Sequence, residues 1–305
     1  MPRSPSRQGV LFALAAILLW ASLATLGVSL RHVPPFLLTG LGLLVGSLVA
    51  LPLSRGRWSD WKVPLPTLLV GVVGLLGYHA LLFAAFQLAP PVQVNLLNYL
   101  WPLGIVVLAP LLLRGMHFRW QHLAAALIGF AGAVLALLDG ARAGGSSLTA
   151  ALDGPVLSGY LLALAAALTW ACYSLLSQRV PPFRTAAIGG FCLLSGLGSL
   201  LFHWVFEVPV TLSSRDWGLI ALLGIGPLGG AFFVWDAALK RTDPRTVGLL
   251  AFLTPLLSTA MLLWSRGQAP SELLALATLL IVGAAVVGTR REPDRQPESR
   301  HARRD

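Results

Sequence analysis

The chain has 305 residues, of which 56% are hydrophobic and only 11% charged, and its mean hydropathy is +0.77. A soluble domain carries about a quarter charged residues, so a soluble globular protein is excluded. The formal charge of +10 does not point to nucleic acid either, because none of the 22 Lys and Arg residues lies in the interior of a long apolar run.

Ten such runs follow one another, near 9–30, 34–53, 65–88, 90–113, 120–139, 155–177, 183–206, 217–239, 244–265 and 270–289. Each has roughly the 20 residues that a helix needs to cross a bilayer. Strands would have to close into a barrel, and the short alternating pattern of barrel strands is missing. The sequence therefore predicts an all-α polytopic membrane protein. The basic start MPRSPSRQGV resembles the front of a signal peptide, but the apolar stretch after it is longer than such a leader, and a first helix kept in the mature protein is expected.

Several runs carry residues that lipid would not select. Trp20 stands in the middle of the first. The third holds GVVGLLGYHA (71–80), in which Gly71 and Gly74 either bend the helix or let another helix approach. On the same run His79, Phe83 and Phe86 share a face with Tyr78 at its edge. The fourth reads NLLNYLWPL (95–103). On a helix turning about 100° per residue, Asn95, Asn98, Tyr99 and Pro102 fall in one arc of about 100°, with Trp101 about 60° beyond it. Carboxamides facing lipid would lose hydrogen bonds, so they are expected to face protein or water, either as glue between helices or as a cavity wall.

The sixth run carries Trp170 and Tyr173, the eighth GIGPLGGAFF (224–233) with Pro227, and the ninth Pro255. Asp236 is the one carboxylate clearly inside a run. It is a candidate for coupling, although Lys240 four residues on makes an interfacial ion pair the plain alternative. Cys172 and Cys192 have no metal-ligand spacing and read as small packing residues. No metal site and no cofactor is expected. The tail 290–305, rich in charge and proline, is expected to be disordered.

Charge orients the chain. With the N-terminus inside, eighteen Lys and Arg residues fall on inner segments, and only Arg31, Arg142, Arg215 and Arg266 fall on outer ones. The positive-inside rule then places both termini in the cytoplasm. Trp58, Trp61, Trp120, Trp204, Trp217 and Trp264 fall near run ends, where indole rings favour the headgroup level.

The chain also repeats itself. LLWASLATLGVSLRHVPPF (18–36) resembles LTWACYSLLSQRVPPF (168–183), and a constant offset of 153 aligns residues 84–103 with 237–256 at nine identities in twenty. Pro91 then meets Pro244, Pro102 meets Pro255, and Gly74 meets Pro227. Five runs per repeat is an odd number, so the second repeat, 146–289, is expected to be inserted upside down relative to the first, 1–145. Inverted repeats are characteristic of secondary transporters, whose substrate site lies between the repeats near mid-membrane.

These features (ten spans in two inverted fives, the paired prolines, and NYLWP) resemble the drug/metabolite transporter superfamily, EamA type. NYLWP, Trp20 and the aromatic third run are similar to its YddG-like, aromatic amino acid exporter branch. The resemblance implies a basket of helices 1–4 and 6–9 around a central cavity, with helices 5 and 10 outside it, and export of aromatic amino acids. One feature departs: LLRGMHF (112–118) and LLWSRGQ (262–268) lack the glycine-glutamate pair that many EamA proteins carry there, so no role passes to such a Glu.

The expected site comprises Trp20, Tyr78, His79, Asn95, Asn98, Tyr99, Trp101, Trp170 and Tyr173, with Gly74, Pro102, Pro227 and Pro255 as bends or gates. No Lys or Arg is available at mid-span to hold phosphate, so the cargo is expected to be a small neutral, aromatic or zwitterionic molecule. The alternatives are a broad multidrug exporter, an intramembrane enzyme and a membrane scaffold. The expected partners are that cargo and the lipid bilayer, with no nucleic acid, and nothing in the pattern requires more than a monomer.

Overall fold

A computed structural model of the chain describes residues 7–55, 57–112, 120–143, 154–177, 179–241, 250–251 and 253–289. Every regular element among them is helical. In chain order they are α1 (Arg7–Ser29), α2 (Pro35–Leu48), α3 (Ala50–Ser54), a 3₁₀ turn (Trp58–Trp61), α4 (Leu65–Leu88), α5 (Pro91–Asn98), α6 (Trp101–Leu112) and α7 (Trp120–Ala143). After them come α8 (Gly154–Leu176), α9 (Ala187–Phe206), α10 (Ser214–Ile225), a π turn (Gly226–Gly230), α11 (Ala231–Arg241), α12 (Leu253–Ser265) and α13 (Glu272–Thr289).

Among the described residues, six helical segments are long and apolar enough to cross a membrane: Arg7–Ser29, Pro35–Pro52, Leu65–Leu88, Gly154–Leu176, Ala187–Phe206 and Ser214–Trp235. The bundle's outside is apolar as well, with Phe130, Leu201, Phe206 and Trp264 exposed. Patches of this kind face lipid or partners rather than water. The chain is a multi-pass membrane protein.

Local sequence explains where helices start. Pro35 and Pro91 stand in the first turns of α2 and α5, where a residue with fixed φ and no N–H loses nothing. The first donors after Pro35 are the Phe36 and Leu37 amides, and both donate to the Glu207 carboxylate at 2.8 and 3.1 Å. His203 contacts the same carboxylate through Nδ1 at 2.8 Å. The second VPPF is used differently: residues 181–184 form no regular element and α9 begins only at Ala187, later than the run beginning near 183 implied. At α10, Ser213 and Asp216 form a reciprocal capping box, and Asp216 also meets His32 from the turn after α1 at 3.1 Å.

The most extensive packing joins elements before residue 143 to elements after 154: α7 with α13, α2 with α9, α4 with α8, and α1 with both α11 and α12. Two of these pairs are visibly antiparallel. On α2 and α9, Phe36 lies by Ser199 and Gly40 by Gly196, and Ala50, which opens α3, lies by Gly189. On α7 and α13, the Asp139 carboxylate accepts from the Ser271 hydroxyl, while Gly132 lies by Ala277 and Gly129 by Ala284. Glycine makes these approaches possible. A methyl group at Gly224 would stand 2.6 Å from the Gly42 carbonyl oxygen on α2.

Candidate functional site

The helix through NLLNYLWPL is interrupted. α5 ends at Asn98, and Leu100 N–H turns back to the Leu97 carbonyl at 3.1 Å before α6 starts at Trp101. Pro102 has no N–H to bond the Asn98 carbonyl, and its ring disfavours the preceding turn. This break carries Trp101, which an ideal helix would place outside the polar arc, onto the same wall as the asparagines. α10 and α11 are likewise separated by the π turn, which contains Pro227. Such turns are over-represented at functional sites.

These two breaks border a cavity of about 270 Å³. α1 contributes Trp20, Leu23 and Ala24, spaced to share one face, and α4 contributes Tyr78, His79 and Leu82. The broken helix α5–α6 supplies Asn95, Asn98, Tyr99 and Trp101. α8 supplies Trp170 and Ser174, and α11 supplies Phe232 and Trp235. Pro227, Ala251 and Thr254 also line it, and among the described residues the wall includes no Lys, Arg, Asp or Glu.

Eight of the nine expected site residues thus lie on one wall. The ninth, Tyr173, stands behind Trp170 at a ring-centroid distance of 5.2 Å. It fills the space beside Gly74, where a methyl group would come within 2.5 Å of Tyr173 Cδ2. α4 runs unbroken through Gly74, and the glycine leaves room for Tyr173 to pack against it. Pro255 is buried in the first turn of α12. The residues preceding that helix, 242–249 and Phe252, lie outside the described residues, as do the Asp236 side chain and the tail 290–305.

The rings form a connected set. Trp170 lies 4.9 Å from Tyr78 and 6.1 Å from Phe232, and Trp20 lies 5.7 Å from Phe232 and 5.1 Å from Trp235. Tilted and edge-on geometries of this kind favour aromatic pairs beyond simple burial. The polar groups are mostly satisfied. His79 Nδ1 lies 2.7 Å from the Leu75 carbonyl; a carbonyl only accepts, so Nδ1 carries the proton and Nε2 keeps its lone pair. Asn95 donates to Thr259 Oγ1 at 3.4 Å and accepts from the Ser258 hydroxyl at 3.2 Å, which ties α5 to α12.

Asn98 is the exception. Its Nδ2 donates to Tyr78 Oη at 3.1 Å, but its Oδ1 is buried with no partner among the described residues. An unmet buried acceptor costs roughly 1–3 kcal/mol, and the residue that carries this one is part of the cavity wall.

Sequence reasoning did not single out Phe232, Trp235, Ser174 or Thr254. The repeat held the signal. At the offset of 153, His79 matches Phe232, Leu82 matches Trp235, Asn98 matches Ala251 and Trp101 matches Thr254, and all eight positions lie on the wall. Trp20 and Trp170 match in the same way at the offset of 150. Among the described residues no group of His, Cys, Asp and Glu is placed to hold a metal ion.

A bundle of apolar helices, two of them broken around a cavity whose described residues carry no fixed charge, defines a membrane transporter in class. The EamA-like transporter family matches residues 7–138 and again 157–289, and the chain belongs to that family. It is 43% identical to an aromatic amino acid exporter, YddG, of Ancylobacter novellus, over 92% of this chain and 97% of the relative. It is 28% identical to a probable amino-acid metabolite efflux pump of Salmonella typhimurium, over 91% of this chain and 94% of that one. One solved crystal structure of 42% identity superposes with a TM-score of 0.69, covering 92% of this chain and 96% of its own.

Proposed function

We propose that this protein exports aromatic amino acids and related small neutral or zwitterionic metabolites across the bacterial cytoplasmic membrane by alternating access. Ten transmembrane segments form two five-helix repeats of opposite orientation, 1–145 and 146–289, with both termini in the cytoplasm. The antiparallel pairing of α2 with α9 and of α7 with α13 supports this, since each pair joins corresponding helices of the two repeats. The basic residues, eighteen inner to four outer, support the orientation.

The observation that carries the functional reading is a ring-lined cavity with no fixed charge among its described residues, on whose wall stands Asn98 with its unmet Oδ1. The cargo's ammonium donates to Asn98 Oδ1. Its carboxylate faces the start of α6, where a half-helix presents its positive end, and its ring lies among Trp20, Trp101, Trp170 and Phe232. Size favours this cargo over large drugs: 270 Å³ falls just below the roughly 300–1,000 Å³ of pockets for drug-sized ligands. Helices α5–α6 and α10–α11, already interrupted, gate the cavity.

The test is uptake of radiolabelled tryptophan and phenylalanine into proteoliposomes. Tyr99→Ala and Trp101→Ala are each expected to lower flux by at least about tenfold, the loss of one well-packed ring contact and its buried area. Unaltered uptake in both variants refutes the site. Inhibition of the intact protein by structurally unrelated organic cations would favour the multidrug alternative.

A further inference from the structure

One helical turn before the chamber, α5 borders a second cavity, of about 430 Å³. It lies at the end of the bundle where α1 finishes and α5 begins, because Gly27 of α1 packs on Phe83 and Phe86 of α4. Among the described residues its wall carries one acidic and one basic side chain, Asp139 from α7 and Arg266 from the turn after α12. Val92, Leu263 and Leu274 add apolar surface to it.

Each charge is held by identifiable local structure. Asp139 accepts from Gln93 Nε2 at 3.3 Å and from the Ser271 hydroxyl. The same Ser271 oxygen accepts the Leu274 amide at 3.0 Å, as the N-cap of α13, so its position is fixed from both sides. Gln93 is itself buried, with 5% exposure. Arg266 stands in a Schellman turn: Gly267 N–H bonds the Trp264 carbonyl at 3.1 Å and Gln268 N–H bonds the Leu263 carbonyl at 2.9 Å. Gly267 sits at φ +61, which glycine adopts without strain. The Arg266 guanidinium pairs with no carboxylate among the described residues.

Opposite charges that line one cavity without pairing, over an apolar floor, complement a zwitterion with an apolar side chain. We propose that this cavity is a second amino-acid site, a vestibule on the transport path. Arg266 takes the α-carboxylate, Asp139 takes the ammonium, and Val92, Leu263 and Leu274 meet the side chain. Asn95, bonded to Ser258 and Thr259, is part of the partition between vestibule and chamber. Contacts to solvent-screened charges are weak, so binding here is on the order of millimolar and exchanges quickly. This inference takes its ligand class from the transport reading, and the experiment separates the two.

The experiment labels the full-length variant Ala269→Cys, which lies on the vestibule wall, with a membrane-impermeant maleimide in proteoliposomes, against the parent chain as background. L-Phenylalanine at twice its dissociation constant is expected to slow labelling about threefold. Adding Arg266→Gln or Asp139→Asn is expected to remove that protection, whereas adding Trp101→Ala leaves it intact. Phenethylamine, which lacks the carboxylate, is expected to protect markedly less well. Phenylalanine flux is read in the same vesicles. Flux without protection, or protection that survives Arg266→Gln, overturns the vestibule alone. Protection of Ala269→Cys that is lost on adding Arg266→Gln, with no flux in Ala269→Cys or the parent chain, upholds an amino-acid site here but sinks the transport reading and the site's place on a transport path.

Discussion

Asn98 concentrates what a single side chain contributes to this protein. Its Nδ2 bonds Tyr78 and its Oδ1 bonds nothing among the described residues. If the residue were there for stability, replacing it with leucine of similar size would cost the Tyr78 bond, about 0.6 kcal/mol by the measured average for such bonds in membranes, and relieve the orphan oxygen. If it receives the cargo's ammonium, the same change removes a bond to a charged group, about 1.5–3 kcal/mol, or roughly a 10–100-fold loss of affinity. Asn98→Leu is therefore expected to keep its melting temperature in detergent within a few degrees while phenylalanine flux collapses. A variant that unfolds at much lower temperature and transports normally would contradict this. At this scale the sequence was informative wherever polarity was out of place. Asparagine, histidine and tyrosine in lipid-length runs stand out because burying them costs hydrogen bonds. Phe232 and Trp235 do not stand out, since apolar rings in an apolar helix cost nothing, and only their match to His79 and Leu82 in the repeat marks them.

Between helices, contact distance is set by glycine and direction by carboxylates. Gly42 and Gly46 on α2 receive α10 and the π turn so closely that backbone meets backbone. Neither partner can yield as the tip of a flexible side chain would. Gly224→Ala puts a methyl group 2.5 Å from Val45 Cβ and 2.6 Å from the Gly42 carbonyl oxygen, and overpacking of this kind costs about 1–3 kcal/mol. Gly218, in the same helix, has nothing within 4 Å of an added methyl, so Gly218→Ala is expected to hold or raise stability by up to about 1 kcal/mol. Thermal unfolding of the two variants side by side checks the pair; equal melting temperatures would remove the packing argument. The helix breaks were legible in part. Pro102 and Pro227 marked them, but the actual interruption lies at Tyr99–Leu100, two residues before Pro102, because proline frees the carbonyl of the turn before it. Gly74 reads from sequence as a bend or a close contact alike, since glycine serves close approach as readily as flexibility, and the structure adds that Tyr173 packs against it.

For the molecule as a whole, the residues that tie its two parts together lie at both ends. His32 with Asp216, and Glu207 with the start of α2, close one end. Arg184 with Asp60, at 2.9 Å, closes the other. The proposed inverted topology assigns the first end to the outside and the second to the cytoplasm. An impermeant maleimide is then expected to label Arg31→Cys and Arg215→Cys in intact cells, and to reach Lys62→Cys and Arg179→Cys only after permeabilisation. Labelling of Lys62→Cys in intact cells would overturn the orientation. Charge counting over loops made this expectation possible from sequence, whereas the interleaving of the two parts was not visible there, because hydrophobicity records that a helix is buried and not which helix buries it.

The antiparallel pair α7 and α13 stands at one edge, held by the Asp139–Ser271 bond at one end and by glycine contacts along its length. A clasp that keeps its span while the rest rearranges works as a fulcrum. Under the alternating access proposed above, separation of the two parts would become a swing about that pair, with displacement growing with distance from it.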